Sequence, residues 1–142
     1  RFAPYKGISL DVYCKQETDM KNTNNTITYI EFPAADREQL YAAQAFYGAA
    51  FGWHYQNWGD EYRDTDASGV GSGLCVSDAT APLAVIYSAE LETAYNAVIA
   101  AGGTILQEIF SFPGGRRFHF RDPAGNILAV WSDKGVQSAE VA

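Results

Sequence analysis

The five residues Asp122-Pro123-Ala124-Gly125-Asn126 constrain this chain more than any others. Pro123 presets φ at the second turn position, Gly125 accepts positive φ, and Asp122 can hydrogen-bond the backbone two residues on. An apolar run, Ile127-Leu128-Ala129-Val130-Trp131, follows at once, as a strand leaving a turn should. The alternating run Arg116 to Arg121 precedes it, so the segment reads as a β-hairpin. Upstream, Phe46-Tyr47-Gly48-Ala49-Ala50-Phe51-Gly52-Trp53 ends a helix and opens another strand.

The rest of the chain falls into order around these landmarks. Ile27 to Phe32 suits a strand, ended by Pro33. Asp36 and Gln39 look like an N-cap and its reciprocal partner. Leu40, Ala43, Tyr47 and Ala50 then fall on one helical face, and Gly52 suits a left-handed C-terminal position. Trp53 to Trp58 reads as a strand, Gly59-Asp60 as a tight turn, Glu61 to Asp66 as the paired strand, and Gly69 to Val76 as a weaker one. Asp78 to Pro82 is a linker, and the order repeats after it. Leu83 to Tyr87 is a strand and Ser88 a candidate N-cap. A helix follows with Leu91, Ala94, Tyr95 and Val98 on one face, stopped by Gly102-Gly103. Thr104 to Phe112 and the hairpin complete the second half. The chain therefore reads βαβββ twice, an α+β class, with modules at 27–77 and 83–132 in one domain spanning 27–132. Residues 1–26 read as an N-terminal extension and 133–142 as a C-terminal tail. The only methionine is Met20, which reads as the native initiator with residues 1–19 vector-derived or an upstream extension; the alternative is a genuine N-terminal arm that packs on a neighbour.

Composition removes several function classes. Ten basic against 17 acidic residues give a net charge of −7, which argues against nucleic acid as a partner. Arg116, Arg117 and Arg121 form the densest positive spot, read either as solvated strand positions or as an anion site. No apolar run reaches the ~20 residues that a bilayer-spanning helix needs, so no membrane partner is expected. Two cysteines, Cys14 and Cys75, make no disulfide framework, and a cytoplasmic location is expected. No Gly-rich phosphate loop or nucleophile elbow occurs, and no cofactor is called for.

The ordered set resembles the vicinal-oxygen-chelate superfamily, which includes glyoxalases, bleomycin-resistance proteins and extradiol dioxygenases. It runs from a strand through Pro33-x-x-Asp36, a helix, Phe46-Tyr47, Phe51-Gly52-Trp53 and a second helix ending Gly102-Gly103 to Arg121-Asp-Pro-x-Gly-Asn126. The resemblance implies that the two modules form a curved, cavity-enclosing mixed sheet with helices on the outside. One departure is that Asp36 to Phe46 is about one helical turn longer than the family spacing.

Metal-dependent members of that superfamily hold a divalent ion with His, Gln or Glu from the first and last strands of each module. Counting from the shared motifs places three of those positions at Tyr29, Leu83 and Ala129, with the fourth near Gly73 to Cys75. Tyrosine is an uncommon ligand, and leucine and alanine cannot coordinate a metal. The chain holds only His54 and His119, and neither sits at a ligand position. No metal site is expected, which disfavours a dioxygenase and a metal-dependent glyoxalase.

The remaining chemistry is aromatic and carboxylate. Tyr29 and Glu31 share one face of the first strand, with Ile30 and Phe32 on the other. Glu31 is a candidate base or ligand anchor, or alternatively pairs with Arg117 or Arg121 or reaches solvent. His119 is a second candidate base, or completes a structural hydrogen bond. Alternation sets Arg117, His119 and Arg121 against Phe118 and Phe120, and the sequence does not choose which set lines a cavity. Trp53, Tyr55, Trp58 and Tyr62 could stack a planar ligand or fill a core. Tyr29, Glu31, Trp53, Tyr55, Trp58, Tyr62, His119, Ala129 and Trp131 form the candidate ligand-binding set. The expected function is binding of a small organic molecule, with a homodimer implied by likeness to the resistance proteins. A lyase or isomerase of the glyoxalase type, and a degenerate domain used as an interaction module, are the alternatives.

Overall fold

The computed structural model describes residues 22–135; Cys14, Met20 and the rest of residues 1–21 lie outside the described residues, as does 136–142. Ten elements follow in order: β1 (Thr26–Ala34), α1 (Arg37–Phe51), β2 (Gln56–Asn57), β3 (Tyr62–Thr65), β4 (Gly71–Val76), β5 (Leu83–Tyr87), α2 (Leu91–Ala100), β6 (Thr104–Phe112), β7 (Gly115–Arg121) and β8 (Ile127–Ser132). This is βαβββ twice. The contacts separate into two compact units, residues 29–83 and residues 84–135, with 22–28 joining the second.

In the first unit the strands run β2-β3-β4-β1. β1 and β4 are parallel, with Glu31 opposite Gly73, and β3 pairs antiparallel to β4, with Tyr62 opposite Cys75. Helix α1 starts where Asp36 stops being helical, and its carboxylate accepts from the Gln39 amide at 2.9 Å. It ends at Gly52, whose φ of 75° lies in the left-handed region that Gly tolerates best. Leu40, Ala34 and Leu74 form the core between helix and sheet, flanked by Phe32, Ala43, Tyr47, Tyr55 and Val76.

In the second unit the order is β5-β8-β7-β6, with β5 and β8 parallel and the rest antiparallel. Helix α2 lays Leu91, Ala94, Tyr95 and Val98 against Phe118, Phe120 and Val130. Tyr95 meets Phe118 edge-on, ring centroids 5.2 Å apart. The hairpin between β7 and β8 closes as its chemistry requires. The Asp122 carboxylate accepts from the amides of Ala124 and Asn126 and from the Asn126 side chain, which holds its carboxyl below the usual range, and Gly125 has φ 97°. Thr28, at the start of β1, clusters here because its hydroxyl accepts from Trp131 Nε1 at 3.1 Å.

Four local expectations change. Trp53 to Trp58 is not one strand: only Gln56–Asn57 pairs, because Trp53 turns back to stack on Tyr47 of α1 at 5.1 Å and 15°. Pro33 does not end β1, since it keeps register with Cys75 and the Ala34 carbonyl accepts from Ser77. Ala50 lies on the exposed side of α1 rather than with Leu40 and Tyr47. Glu90, not Ser88, occupies the N-cap of α2; the Ser88 hydroxyl instead accepts from the Glu90 amide in a side-chain turn.

Leu40 is completely buried. Leu40→Ala should lower unfolding free energy by about 2–4 kcal/mol in denaturant titration, through lost transfer energy and a cavity under α1. Leu106→Ala, on the exposed edge strand β6, should stay within roughly 0.5 kcal/mol.

Candidate functional site

Each sheet has one face under its helix, and strand alternation sends the other residues to the opposite face. In the first unit that opposite face carries Tyr29 and Glu31 from β1, Gly73 and Cys75 from β4, and Tyr62 and Asp64 from β3. The Tyr29 and Tyr62 hydroxyls meet at 2.5 Å. Gly73 makes this possible, for a Cβ there would collide with both hydroxyls. Burial raises the Tyr62 phenol well above its ordinary value, and Tyr29, Glu31 and Asp64 add to the rise. Tyr62 is therefore a neutral donor or acceptor at physiological pH, not a phenolate. Trp58 joins the same cluster through Nε1, which donates to Asp64 at 2.9 Å. Glu31, Trp58, Tyr62 and Asp64 are half-buried, whereas Tyr29 is closed to solvent. Cys75 is half-buried, its thiol 3.6 Å from the Val76 carbonyl.

Trp53 and Tyr55 belong elsewhere. They lie by α1, in an open groove of about 440 Å³ shared with Tyr41, Gln44, Ala45, Gly48 and His54. The Tyr55 phenol is pushed up to about 12, by burial first and by Tyr47 second. Beside the groove, Arg63 is buried and held by neutral acceptors: Gln44 Oε1 at 3.0 Å, the Gly59 carbonyl and the Tyr62 carbonyl. Its guanidinium also lies 5.3 Å from the centre of the Tyr41 ring.

In the second unit the choice that the sequence left open is made by α2. Phe118 and Phe120 pack beneath the helix, so Arg117 and His119 take the other face with Ala129, Trp131, Val85 and Tyr87. Arg117 lies over Phe110 and Phe112, 5.6 and 5.9 Å from their ring centres. His119 tilts against Phe110 at 5.8 Å, and its buried Nε2 makes no hydrogen bond among the described residues. Desolvation first, and the Arg117 charge second, lower the imidazole from 6.5 to about 4, so His119 is neutral at pH 7. Trp131 and Ala129 are closed to solvent. Tyr87 donates to Asp133 at 2.7 Å and meets Trp131 edge-on. Arg116 is drawn to Glu92, which holds that carboxyl below its usual range, and Arg121 is exposed.

The sequence missed Asp64, Phe110 and Phe112, and marked Gly73 only as one end of the stretch holding the fourth ligand position. Asp64 and Phe110 are ordinary strand residues until the register places them. Gly73 carried a signal, a glycine inside a strand, which marks a close approach by another group.

No protein-family profile matches the chain, and no curated protein matches it by sequence. Solved structures do match. A glyoxalase/bleomycin resistance protein/dioxygenase superfamily member from Vibrio splendidus 12B01 aligns at 17% identity over 73% of this chain and 96% of its own, with a TM-score of 0.60. The Mn(II)-bound glyoxalase from Novosphingobium aromaticivorans aligns at 22% identity over 78% of this chain, with a TM-score of 0.59, and this chain spans 39% of it. Methylmalonyl-CoA epimerase from Mycobacterium tuberculosis aligns at 14% identity over 87% of this chain and 99% of its own, with a TM-score of 0.57. This is the vicinal-oxygen-chelate fold. At these identities the likeness is one of fold, and function has to be argued from the side chains.

Those side chains do not match the ligand chemistry that the fold resemblance implies. Leu83 and Ala129 carry no donor atom, and the hydroxyl of Tyr29 is turned to Tyr62. Among the described residues no three His, Cys, Asp or Glu side chains draw together as a metal site would require. No helix among them is long and apolar enough to cross a membrane.

His119 gives the face a measurable signature. Between pH 6.5 and about 4 the unfolded chain binds a proton that the folded chain refuses. Its contribution to stability is therefore complete above pH 6.5 and is lost as pH falls toward 4. Denaturant titrations of wild type and His119→Gln should diverge in slope over that window and run parallel above it. An imidazole NMR titration should place the midpoint near 4.

Proposed function

We propose that this protein binds a small organic molecule on the sheet faces turned away from its helices, and does so without the divalent metal used elsewhere in the fold. The observation that carries this reading is the coincidence of half-buried polar groups with aromatic walls on those faces. Tyr62, Glu31 and Trp58 supply it in the first unit, and His119 and Arg117, beside Phe110 and Phe112, in the second. Hydrocarbon stands at Leu83 and Ala129, where a metal would need donors. A neutral phenol and a neutral imidazole can each donate or accept a hydrogen bond without a counter-charge. Arg117 adds positive charge and a flat surface. Within the second unit, Arg117 and His119 suit a planar molecule with oxygen acceptors or a negative charge. Tyr29, Ala129 and Trp131, closed to solvent, shape these faces from beneath. Trp53 and Tyr55 stand apart from them, beside α1.

A second reading has one specific observation behind it. An imidazole kept neutral at pH 7 is in the form that a general base requires, and the Glu31 carboxylate is the other base candidate. This would make the protein a metal-independent lyase or isomerase.

Elemental analysis of the purified protein should find substoichiometric Mn, Fe, Ni and Zn. A thermal-shift screen of planar carboxylates and phenols should return ligands that raise Tm by roughly 5–10 °C at a hundredfold excess over Kd. His119→Gln and Tyr62→Phe should each reduce those shifts. Stoichiometric metal would overturn the proposal, and turnover of the glutathione–methylglyoxal hemithioacetal would move the reading to the enzyme.

A further inference from the structure

Arg63 is 7% exposed, and no carboxylate among the described residues answers its charge. Its hydrogen bonds go to neutral oxygens: Gln44 Oε1 at 3.0 Å and the carbonyls of Gly59 and Tyr62. Nη2 donates to none of the described residues. Burying a charge is costly unless an opposite charge meets it, and arginine cannot shed its proton to escape that cost. Asp60 and Glu61, in the adjoining turn, face Arg37 at the surface instead. The guanidinium lies over the Tyr41 ring, 5.3 Å from its centre.

Tyr41 and Gln44, the two side chains against that guanidinium, also line the open groove beside α1. Arginine has donors only, so Gln44 must turn its oxygen to Arg63. That leaves the Gln44 NH2 as a donor with no partner among the described residues. Tyr55, kept a neutral phenol by burial, adds a hydroxyl to the lining. Trp53 adds a flat wall, fixed by its stacking on Tyr47. In a chain of net charge −7, no lining residue is acidic. Glu38, exposed one turn before Tyr41, lies outside the lining. The groove's volume of about 440 Å³ falls within the roughly 300–1,000 Å³ of small-molecule sites.

We propose that this groove is a second ligand site, and that it takes a flat aromatic carboxylate. The ring would lie against Trp53, and the carboxylate would accept from the Gln44 amide and supply the opposite charge that Arg63 lacks. Charge selects this occupant. Aromatic walls can also hold an organic cation, but here the Arg63 guanidinium already covers Tyr41 and would repel one. A neutral ring would gain the stacking and leave the buried charge unanswered. Tyr41, Gln44, Trp53 and Tyr55 lie on the helix side of the first unit, apart from Tyr62 and Glu31. The inference therefore goes beyond the proposed binding on the sheet faces and does not rest on it.

The three tryptophans of the chain report on separate places: Trp53 on the groove, Trp58 on the first sheet face and Trp131 on the second. Titration of the ¹⁵N-labelled full chain with 2-naphthoate should move the Trp53 indole N–H and the Gln44 side-chain amide along one saturating curve. 2-Naphthamide, the same ring without the charge, should bind roughly tenfold or more weakly. Gln44→Glu gives Arg63 a carboxylate of the chain's own. It should keep Tm at or above that of wild type and weaken 2-naphthoate binding by roughly tenfold or more. Ala45→Glu, at an exposed lining position, should weaken it by a similar factor and serves if Gln44→Glu does not fold. A Trp53 signal unmoved at roughly 10 mM probe overturns the inference. So does equal binding of the amide and the carboxylate, or binding that survives the substitutions. Shifts confined to Trp58 or Trp131 also overturn it while supporting a ligand on the sheet faces, so the two readings fail separately.

Discussion

Phe118 and Phe120 are pressed beneath α2, and a strand cannot turn adjacent residues to the same side. That one constraint orients the whole of β7. It carries Arg117 and His119 to the opposite face, puts the imidazole against Phe110, and removes it from water far enough to hold it neutral. The chemistry of the second unit is thus a by-product of how its core is packed. Any change that let β7 slip by one residue would bury arginine under the helix and expose phenylalanine, which is why the register is strongly specified.

The first unit obeys the same rule with a different payload. Leu74 goes under α1, so Gly73 goes to the other face, and the missing side chain there leaves room for two phenols to meet. Two tyrosine hydroxyls in contact satisfy each other where a buried unpaired one would be costly. Glu31 and Asp64 lie close enough for their charge to be felt at Tyr62, which reinforces its neutral state. Each unit therefore presents one polar ring that is uncharged at neutral pH beside its charged neighbours, Tyr62 in the first and His119 in the second.

Most of the fold was legible in the residues. Leu83 to Tyr87 and Thr104 to Phe112 are strands with the boundaries that composition indicates, and the Asp122 turn forms as its chemistry demands. The errors have physical causes. Aromatic residues such as Trp53 favour strands in general, but its stacking on Tyr47 of α1 outweighed that preference. Ser88 is a good cap by type, yet it lies two residues before the cap position and its hydroxyl is taken by the Glu90 amide. The site was harder to see. Alternation divides a strand into two sets but does not say which set meets the helix; that depends on register against neighbours far away in sequence. The Tyr29–Tyr62 contact spans 33 residues, and nothing local announces it beyond the glycine that permits it.

Helix α1 lies on the reverse of its sheet from Tyr62 and Glu31. The sheet therefore stands between the outward side of α1 and the phenol pair. Substitutions on the outward side of α1 should thus add independently to those at the phenol pair, because no side chain is shared between the two sides.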